Sequence, residues 1–107
     1  MTRILLSTAA RIDRREITEH TVERFEIVQA RRLRNAFEAA LHSLAESPKL
    51  GRENEELDPP NRSFRYYPVM KRFLIVYEPT DDGIRVARLL HGARNLVAEL
   101  DREHGDD

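Results

Sequence analysis

Hydrophobic residues along this chain follow a helical period in its first half and strand-like runs in its second half. The helical period is clearest over residues 29–46, where apolar side chains recur every three or four positions and make one stripe. The stripe consists of Ala30, Leu33, Phe37, Ala40, Leu41 and Leu44. Charged and polar residues occupy the opposite side, so the pattern predicts a helix buried on one face. Ser47 followed by Pro48 predicts its end.

A weaker helical pattern precedes this one, over residues 9–28. Its apolar positions are Ala10, Ile17 and Phe25. Polar residues, Asp13 among them, interrupt the period. Residues 3–7 make a short apolar strand candidate, and the Ser7 hydroxyl is suited to cap the helix that follows. Because the link near Val28 is short, we expect the two helices to form an antiparallel hairpin.

Three strand candidates follow one another over residues 64–68, 72–78 and 84–91. Their short connections force neighbouring strands to be antiparallel, which makes a meander. We expect Gly83, after Asp82, to supply the positive φ of the second turn. The middle strand is apolar on both faces, so one face is expected to take the helices. The other is expected to be covered by a partner or by the chain's own ends.

These elements predict an α+β fold and a single domain over residues 1–107. It comprises an N-terminal strand, an antiparallel helical hairpin and a three-stranded antiparallel meander. Residues 53–61 are expected to form a loop. A short C-terminal helix is expected over residues 96–100, capped by Asn95.

The composition of the chain indicates its cellular compartment and the charge of its partner. The chain has no cysteine, which rules out disulfides and thiolate metal sites and favours a reducing cytoplasm. No apolar run approaches the roughly 20 residues that cross a bilayer, so we expect no membrane association. Residues 59–94 carry seven Lys or Arg against three acids, whereas residues 38–58 carry two against six. A basic sheet next to an acidic flank suggests an acidic partner.

Three stretches of the sequence resemble the ParE/RelE superfamily of bacterial type II toxins, and its ParE branch in particular. The first runs from Phe37 to Leu44 into the segment 47–52, Ser-Pro-Lys-Leu-Gly-Arg. The second is the strand 72–77, Arg-Phe-Leu-Ile-Val-Tyr, and the third is the segment 88–95, Arg-Leu-Leu-His-Gly-Ala-Arg-Asn. The third stretch is the most specific, because it follows a tyrosine-ended strand at the expected distance.

The resemblance implies a RelE/ParE-like fold and a toxin that a cognate antitoxin neutralises in a hetero-oligomer. ParE-like members are associated with plasmid stabilisation and with inhibiting DNA gyrase by direct binding, without chemistry of their own. RelE-like members instead cut messenger RNA on the ribosome. An inactive paralogue that serves only to bind antitoxin is the third possibility. In all three, we expect an antitoxin segment to cover apolar surface of the sheet.

Four residues are candidates for contacting the target, namely Arg65, Arg88, His91 and Arg94. If the protein is a ribonuclease, the same four are the catalytic candidates. Imidazole transfers protons near neutral pH, and guanidinium groups hold phosphate in a bidentate manner. Alternatively, His91 is a partly buried structural ring and Arg94 is a tether across the bend. Regular alternation would place Arg88 on one strand face with Val86 and Leu90, either beside a buried acid or open to solvent.

Two roles are also open for the tyrosines of the first meander strand. Tyr66 or Tyr67 has the ring needed to stack on a base, but both are more often core or rim residues of a sheet. The spacing of His20, His42 and His104 does not suggest a metal site. No cofactor is expected.

Overall fold

The computed structural model describes residues 2–24 and 27–91, which form two helices and five strands. In chain order these elements are β1 Arg3–Leu6, α1 Thr8–Arg24, α2 Ile27–Glu46, β2 Arg52–Glu53, β3 Arg65–Val69, β4 Phe73–Thr80 and β5 Gly83–His91. The predicted α+β class is therefore confirmed. The expected C-terminal helix over residues 96–100 and the candidate Arg94 lie outside the described residues.

The five strands make one sheet in the order β1-β5-β4-β3-β2. Strands β3, β4 and β5 pair antiparallel in sequence order, as short connections require. Strand β1 lies parallel to β5, so the first strand sits beside the last one described. Strand β2 pairs with the start of β3 and includes Glu53, the first residue of the predicted loop.

The two helices cover one face of this sheet. Every residue of the predicted stripe on α2 is buried, and all of them except Ala30 belong to one core cluster with Ile75 and Tyr77 of β4 and Leu89 of β5. Helix α1 begins as its sequence predicted, because the backbone N–H of Ala10 donates to the Ser7 hydroxyl at 3.0 Å. The helix-facing side of the sheet is thus the larger hydrophobic core of the protein.

The opposite face of the sheet carries a second, smaller apolar cluster. It contains Phe64, Tyr66, Val76, Ala87 and Leu90, with Leu57 and Leu74 packed against it. Leu57 lies in the predicted loop 53–61, and Phe64 directly precedes β3, although the sequence predicted it as the first residue of that strand. Because the connection before β3 lies over the sheet, part of the second face is covered by the middle of the chain.

A β-bulge changes which side chains of β5 share a face. The pairing between β4 and β5 shifts at Val76 and Tyr77, so Ala87 is the extra residue. As a result Val86 belongs to the helix-side core and Leu90 to the second cluster. The expectation that these two residues flank Arg88 on one face is therefore wrong, because regular alternation stops at the bulge.

The role expected for Gly83 is also wrong. Its φ is not positive, and it is the first residue of β5 rather than the bend of a turn. A Cβ added there would lie 1.9 Å from the carbonyl oxygen of Arg3. Glycine is required because β1 approaches β5 too closely for a side chain.

The hairpin between β3 and β4 has an unusual tip, formed by Met70, Lys71 and Arg72. Val69 pairs with Phe73, which leaves these three residues as the loop. Met70 and Lys71 both adopt positive φ, 52° and 63°. This region of backbone conformation is costly for residues other than glycine, asparagine and aspartate. We refer to residues 70–72 as the hairpin tip.

Candidate functional site

A groove of about 420 Å³ lies between α1 and the adjoining ends of β4 and β5. Its lining from α1 includes Asp13, Glu16 and His20, and it is completed by Arg72 of the hairpin tip and His91 of β5. The groove therefore combines carboxylate, imidazole and guanidinium groups with apolar walls. Two of the four target-contact candidates, Arg88 and His91, line it.

The floor of the groove contains a buried ion pair between Arg88 and Asp13. Arg88 is 6% exposed, its Nε donates to Oδ2 of Asp13 at 2.6 Å, and its Nη2 donates to Oδ1 at 2.9 Å. Such a bidentate pair satisfies two charges that would be costly to bury alone. The sequence left two environments open for Arg88, a buried acid or solvent, and the structure shows the buried acid.

The ion pair forms because β1 is shorter than its neighbour β5. Past Leu6 the edge of β5 has no strand beside it, and α1 crosses there instead. The Ser7 hydroxyl donates to the carbonyl oxygen of Ala87 at 2.6 Å, and the backbone N–H of Leu89 donates to Oδ2 of Asp13 at 3.0 Å. Side chains at the start of α1 thus bond the backbone groups that a longer β1 would have paired.

His91 lies at the end of β5, where its ring continues a row of aromatic side chains. The Phe37 and Phe73 ring centroids are 5.6 Å apart, and those of Phe73 and His91 are 5.2 Å apart with the rings nearly perpendicular. Edge-to-face contacts of this kind fix ring orientation. His91 is half-buried, so one side of the imidazole packs on the core and the other faces the groove.

Arg65 lies at the opposite end of the sheet from this groove. It pairs with Tyr77, whereas His91 pairs with Phe73, four residues earlier in β4. At about 3.3 Å per residue, the offset along the strands is about 13 Å. The Arg65 guanidinium donates to the carbonyl oxygens of Lys49 and Gly51 and to the carboxylate of Glu53. Arg65 therefore holds the segment that follows α2, and it is not part of the groove.

Two of the three tyrosines fix loops through their hydroxyl groups. The Tyr77 hydroxyl donates to the carbonyl oxygen of Pro48 at 2.7 Å and accepts from the backbone N–H of Gly51 at 2.8 Å. The Tyr66 hydroxyl donates to Asp58 at 2.7 Å. Burial raises the pKa of both phenols, and in Tyr66 the Asp58 carboxylate raises the pKa further. Tyr66 and Tyr77 are thus core residues.

Several residues that line the groove were not predicted from the sequence as site residues. Asp13, Glu16, His20 and Arg72 were absent from the candidates. A signal for Asp13 was available, because Ala10, Asp13, Ile17 and Thr21 recur at helical spacing and face the sheet. A carboxylate within such a buried stripe requires a cation on the facing strand.

The groove shows no arrangement suited to a metal ion. Within residues 2–24 and 27–91, histidine, aspartate and glutamate side chains form no group of three or more that could hold one. In the same part of the chain, neither helix has the length and apolar character needed to cross a bilayer.

The fold and the groove define a small α+β protein whose helix pair covers one face of a mainly antiparallel sheet. The family model for the ParE toxin of the type II toxin-antitoxin system, parDE, matches residues 4–96. The chain therefore belongs to the ParE toxin family, which confirms the resemblance seen in the sequence. Toxin ParE3 of Caulobacter vibrioides (strain ATCC 19089 / CIP 103742 / CB 15) is 30% identical over 69 residues. The match covers 64% of this chain and 65% of that protein, slightly less than two thirds of its length.

Proposed function

We propose that this chain is the toxin of a type II toxin-antitoxin system and that it inhibits DNA gyrase by direct binding. The observation that carries the proposal is the family match over residues 4–96, which includes both helices and all of the described strands except Arg3 of β1. Toxin ParE3, the relative from Caulobacter, carries the same toxin name. We place the activity in the cytoplasm, where gyrase acts.

The positions of the candidate residues support binding over RNA cleavage. Ribosome-dependent cleavage would need a proton-transferring group and several cations within reach of one phosphate. Arg65 lies about 13 Å along the sheet from His91 and is engaged with the 49–53 segment. Arg88 is held in the ion pair with Asp13. This arrangement favours a protein-binding surface over a nuclease site.

We further propose that the cognate antitoxin binds along β1 and the adjacent start of α1. Strand β1 is outermost in the described sheet, so no described strand pairs with its outer edge. Leu5 on β1 and Ile12 on α1 are exposed large hydrophobic residues. An added strand or helix would bury these side chains and use the open backbone groups of the edge.

A supercoiling assay tests the gyrase proposal. Purified protein is incubated with gyrase, ATP and relaxed plasmid, with and without the small protein encoded beside this gene. We expect supercoiling to fall or linear DNA to accumulate, and we expect the neighbouring protein to restore activity. Unchanged supercoiling at several-fold molar excess over gyrase would reject the target.

A second measurement distinguishes gyrase inhibition from RNA cleavage. Primer extension on translated messages in cells expressing the chain should show no new cuts at ribosomal A sites. Cuts that appear with the wild-type protein and vanish in His91→Ala would instead establish RNA cleavage and reject gyrase binding as the main activity.

A further inference from the structure

The basic residues of the sheet region are not equivalent, because most of them are already engaged within the protein. Arg62 and Arg85 both contact Glu78, Arg65 contacts Glu53, and Arg88 contacts Asp13. These four cations stabilise loops and strands of the fold. Three carboxylates offset most of the positive charge of these four residues, which therefore contribute little to attracting a partner.

Lys71 and Arg72 at the hairpin tip are different. Both are exposed, and within residues 2–24 and 27–91 neither side chain forms an ion pair or a hydrogen bond. Among the cations of the described sheet region from residue 62 to residue 91, they are the two whose charge is not used internally. They are adjacent in sequence, so their positive charges combine at one place on the surface.

The backbone that carries these residues is strained. Glycine or asparagine would adopt the positive φ of Met70 and Lys71 at lower cost, yet the positions hold a long apolar and a long basic side chain. Met70 is 51% exposed, so burial within the protein does not account for its presence. Strained conformations that the surrounding structure maintains are concentrated at functional sites.

We propose that the hairpin tip is the surface through which this protein contacts its target, and that the contact is an acidic patch with an apolar recess on a folded protein. Lys71 and Arg72 would face carboxylates of that patch, and Met70 would enter the recess. This inference rests on the proposed function, since it assigns a target-contacting surface to a toxin. It does not depend on gyrase being the target.

The composition of the tip favours a protein over nucleic acid. Two phosphate contacts release few counterions and bind weakly at physiological salt, and the phosphate backbone offers nothing to an exposed methionine. Methionine and arginine, in contrast, are enriched at protein interfaces, where apolar burial and charge pairing combine.

The hairpin tip lies away from β1, the strand edge proposed for the antitoxin, although Arg72 also lines the groove beside α1. Strand β1 lies at one edge of the sheet, and β3 and β4, which carry the tip, are two or more strands away. The tip is also displaced from β1 along the strand direction. Leu6, the last residue of β1, is level with Val86 and Tyr77, whereas the tip adjoins Phe73, four residues away from Tyr77 on β4. An exposed hairpin end can enter a recess on a larger partner, whereas the open edge of β1 can bind a strand or helix of the antitoxin.

The test compares two double substitutions with the same change in charge. The double substitution Lys71→Glu with Arg72→Glu reverses the charge of the hairpin tip. Lys49→Glu with Arg52→Glu reverses another exposed lysine and arginine, near the Arg65 end of the sheet. Each protein is expressed alone from an inducible promoter for colony counts, and each is purified for its binding to the neighbouring antitoxin. Met70→Ser is measured in the same way.

We expect the tip variant to lose growth inhibition, with colony counts at least tenfold above those of the wild type, and to bind antitoxin within about twofold of the wild type. The control variant should inhibit growth as the wild type does, and Met70→Ser should fall between them. Thermal unfolding should be unchanged in all three, since none of the replaced side chains forms an ion pair or a hydrogen bond within residues 2–24 and 27–91. Full growth inhibition by the tip variant would overturn the inference, and so would a loss confined to antitoxin binding. Absence of growth inhibition by the wild-type chain would reject the proposed function itself.

Discussion

Asp13 and Arg88 are joined by two hydrogen bonds of 2.6 and 2.9 Å, although 75 residues separate them in the chain. The same Asp13 carboxylate also accepts the backbone N–H of Leu89. One carboxylate on the first helix therefore fixes both a side chain and the backbone of β5. This connection explains why a charged residue occupies an inward-facing position of α1.

Asp13→Ala should destabilise the protein strongly, because it leaves the buried Arg88 charge without its partner. We expect the free energy of unfolding in urea to fall by about 3–5 kcal/mol. Glu16→Ala, on an exposed position of the same helix, is the control and should change stability by less than about 0.5 kcal/mol. Asp13→Leu combined with Arg88→Met should cost less than Asp13→Ala alone. If the double variant were the least stable of the set, the pair would not be the source of the effect.

Tyr77→Phe should destabilise the segment that follows α2. The substitution keeps the ring but removes the hydroxyl that bonds Pro48 and Gly51. We expect a loss of about 1–3 kcal/mol in the free energy of unfolding, because the buried N–H of Gly51 then lacks an acceptor. Tyr67→Phe, which removes a hydroxyl from the neighbouring strand, should be nearly neutral. Equal losses from the two substitutions would contradict this account.

Stability should decline at alkaline pH because of Tyr66 and Tyr77. Folding raises the pKa of both phenols above the usual value of 10.0, so the folded state holds their protons more tightly than the unfolded state does. Stability from this source is complete below about pH 10 and is lost as the pH rises further. The expected slope is up to about 1.4 kcal/mol per pH unit for each tyrosine.

Urea unfolding between pH 8 and pH 11 measures this slope. Tyr66→Phe cannot ionise at that position, so its stability should fall less steeply than that of the wild type above pH 10. Parallel curves for the two proteins would show that Tyr66 does not contribute.

Lys71→Gly should make the protein more stable, which is unusual for a substitution in a hairpin. The positive φ of Lys71 costs about 1–2 kcal/mol for a residue with a side chain. Glycine removes that cost but makes the unfolded chain more flexible, so we expect a net gain of up to about 1 kcal/mol. Lys49→Gly, at a residue without positive φ, should give no gain. Equal effects at the two lysines would show that the tip is not strained.

The sequence predicted the elements that depend on local pattern. The stripe on α2 was correct at each position, because a one-sided helix repeats its burial every turn. The Ser7 cap was also predictable, since its acceptor and donor are three residues apart. In each case the information lies within a few residues.

Features that depend on distant partners were not predicted. The bulge at Ala87 changes the face of the sheet on which the side chains after it lie, and no local property of the β5 sequence reveals it. Gly83 was chosen for its position after an aspartate, whereas its real constraint is the backbone of Arg3. The contacts of Arg65 with the carbonyl oxygens of Lys49 and Gly51 were not predicted either, because these partners lie 16 and 14 residues earlier in the chain.

The parallel pairing of β1 with β5 also bears on how the protein is made. Strand β1 is synthesised before the other described elements, but the strand with which it pairs is available only once the segment from Gly83 onward has been made. Contacts between the two ends of a chain delay folding, since they form late and at high entropic cost. A polypeptide released before that point lacks both β5 and the partner of Asp13. We therefore expect interrupted translation to give an unfolded, protease-sensitive fragment.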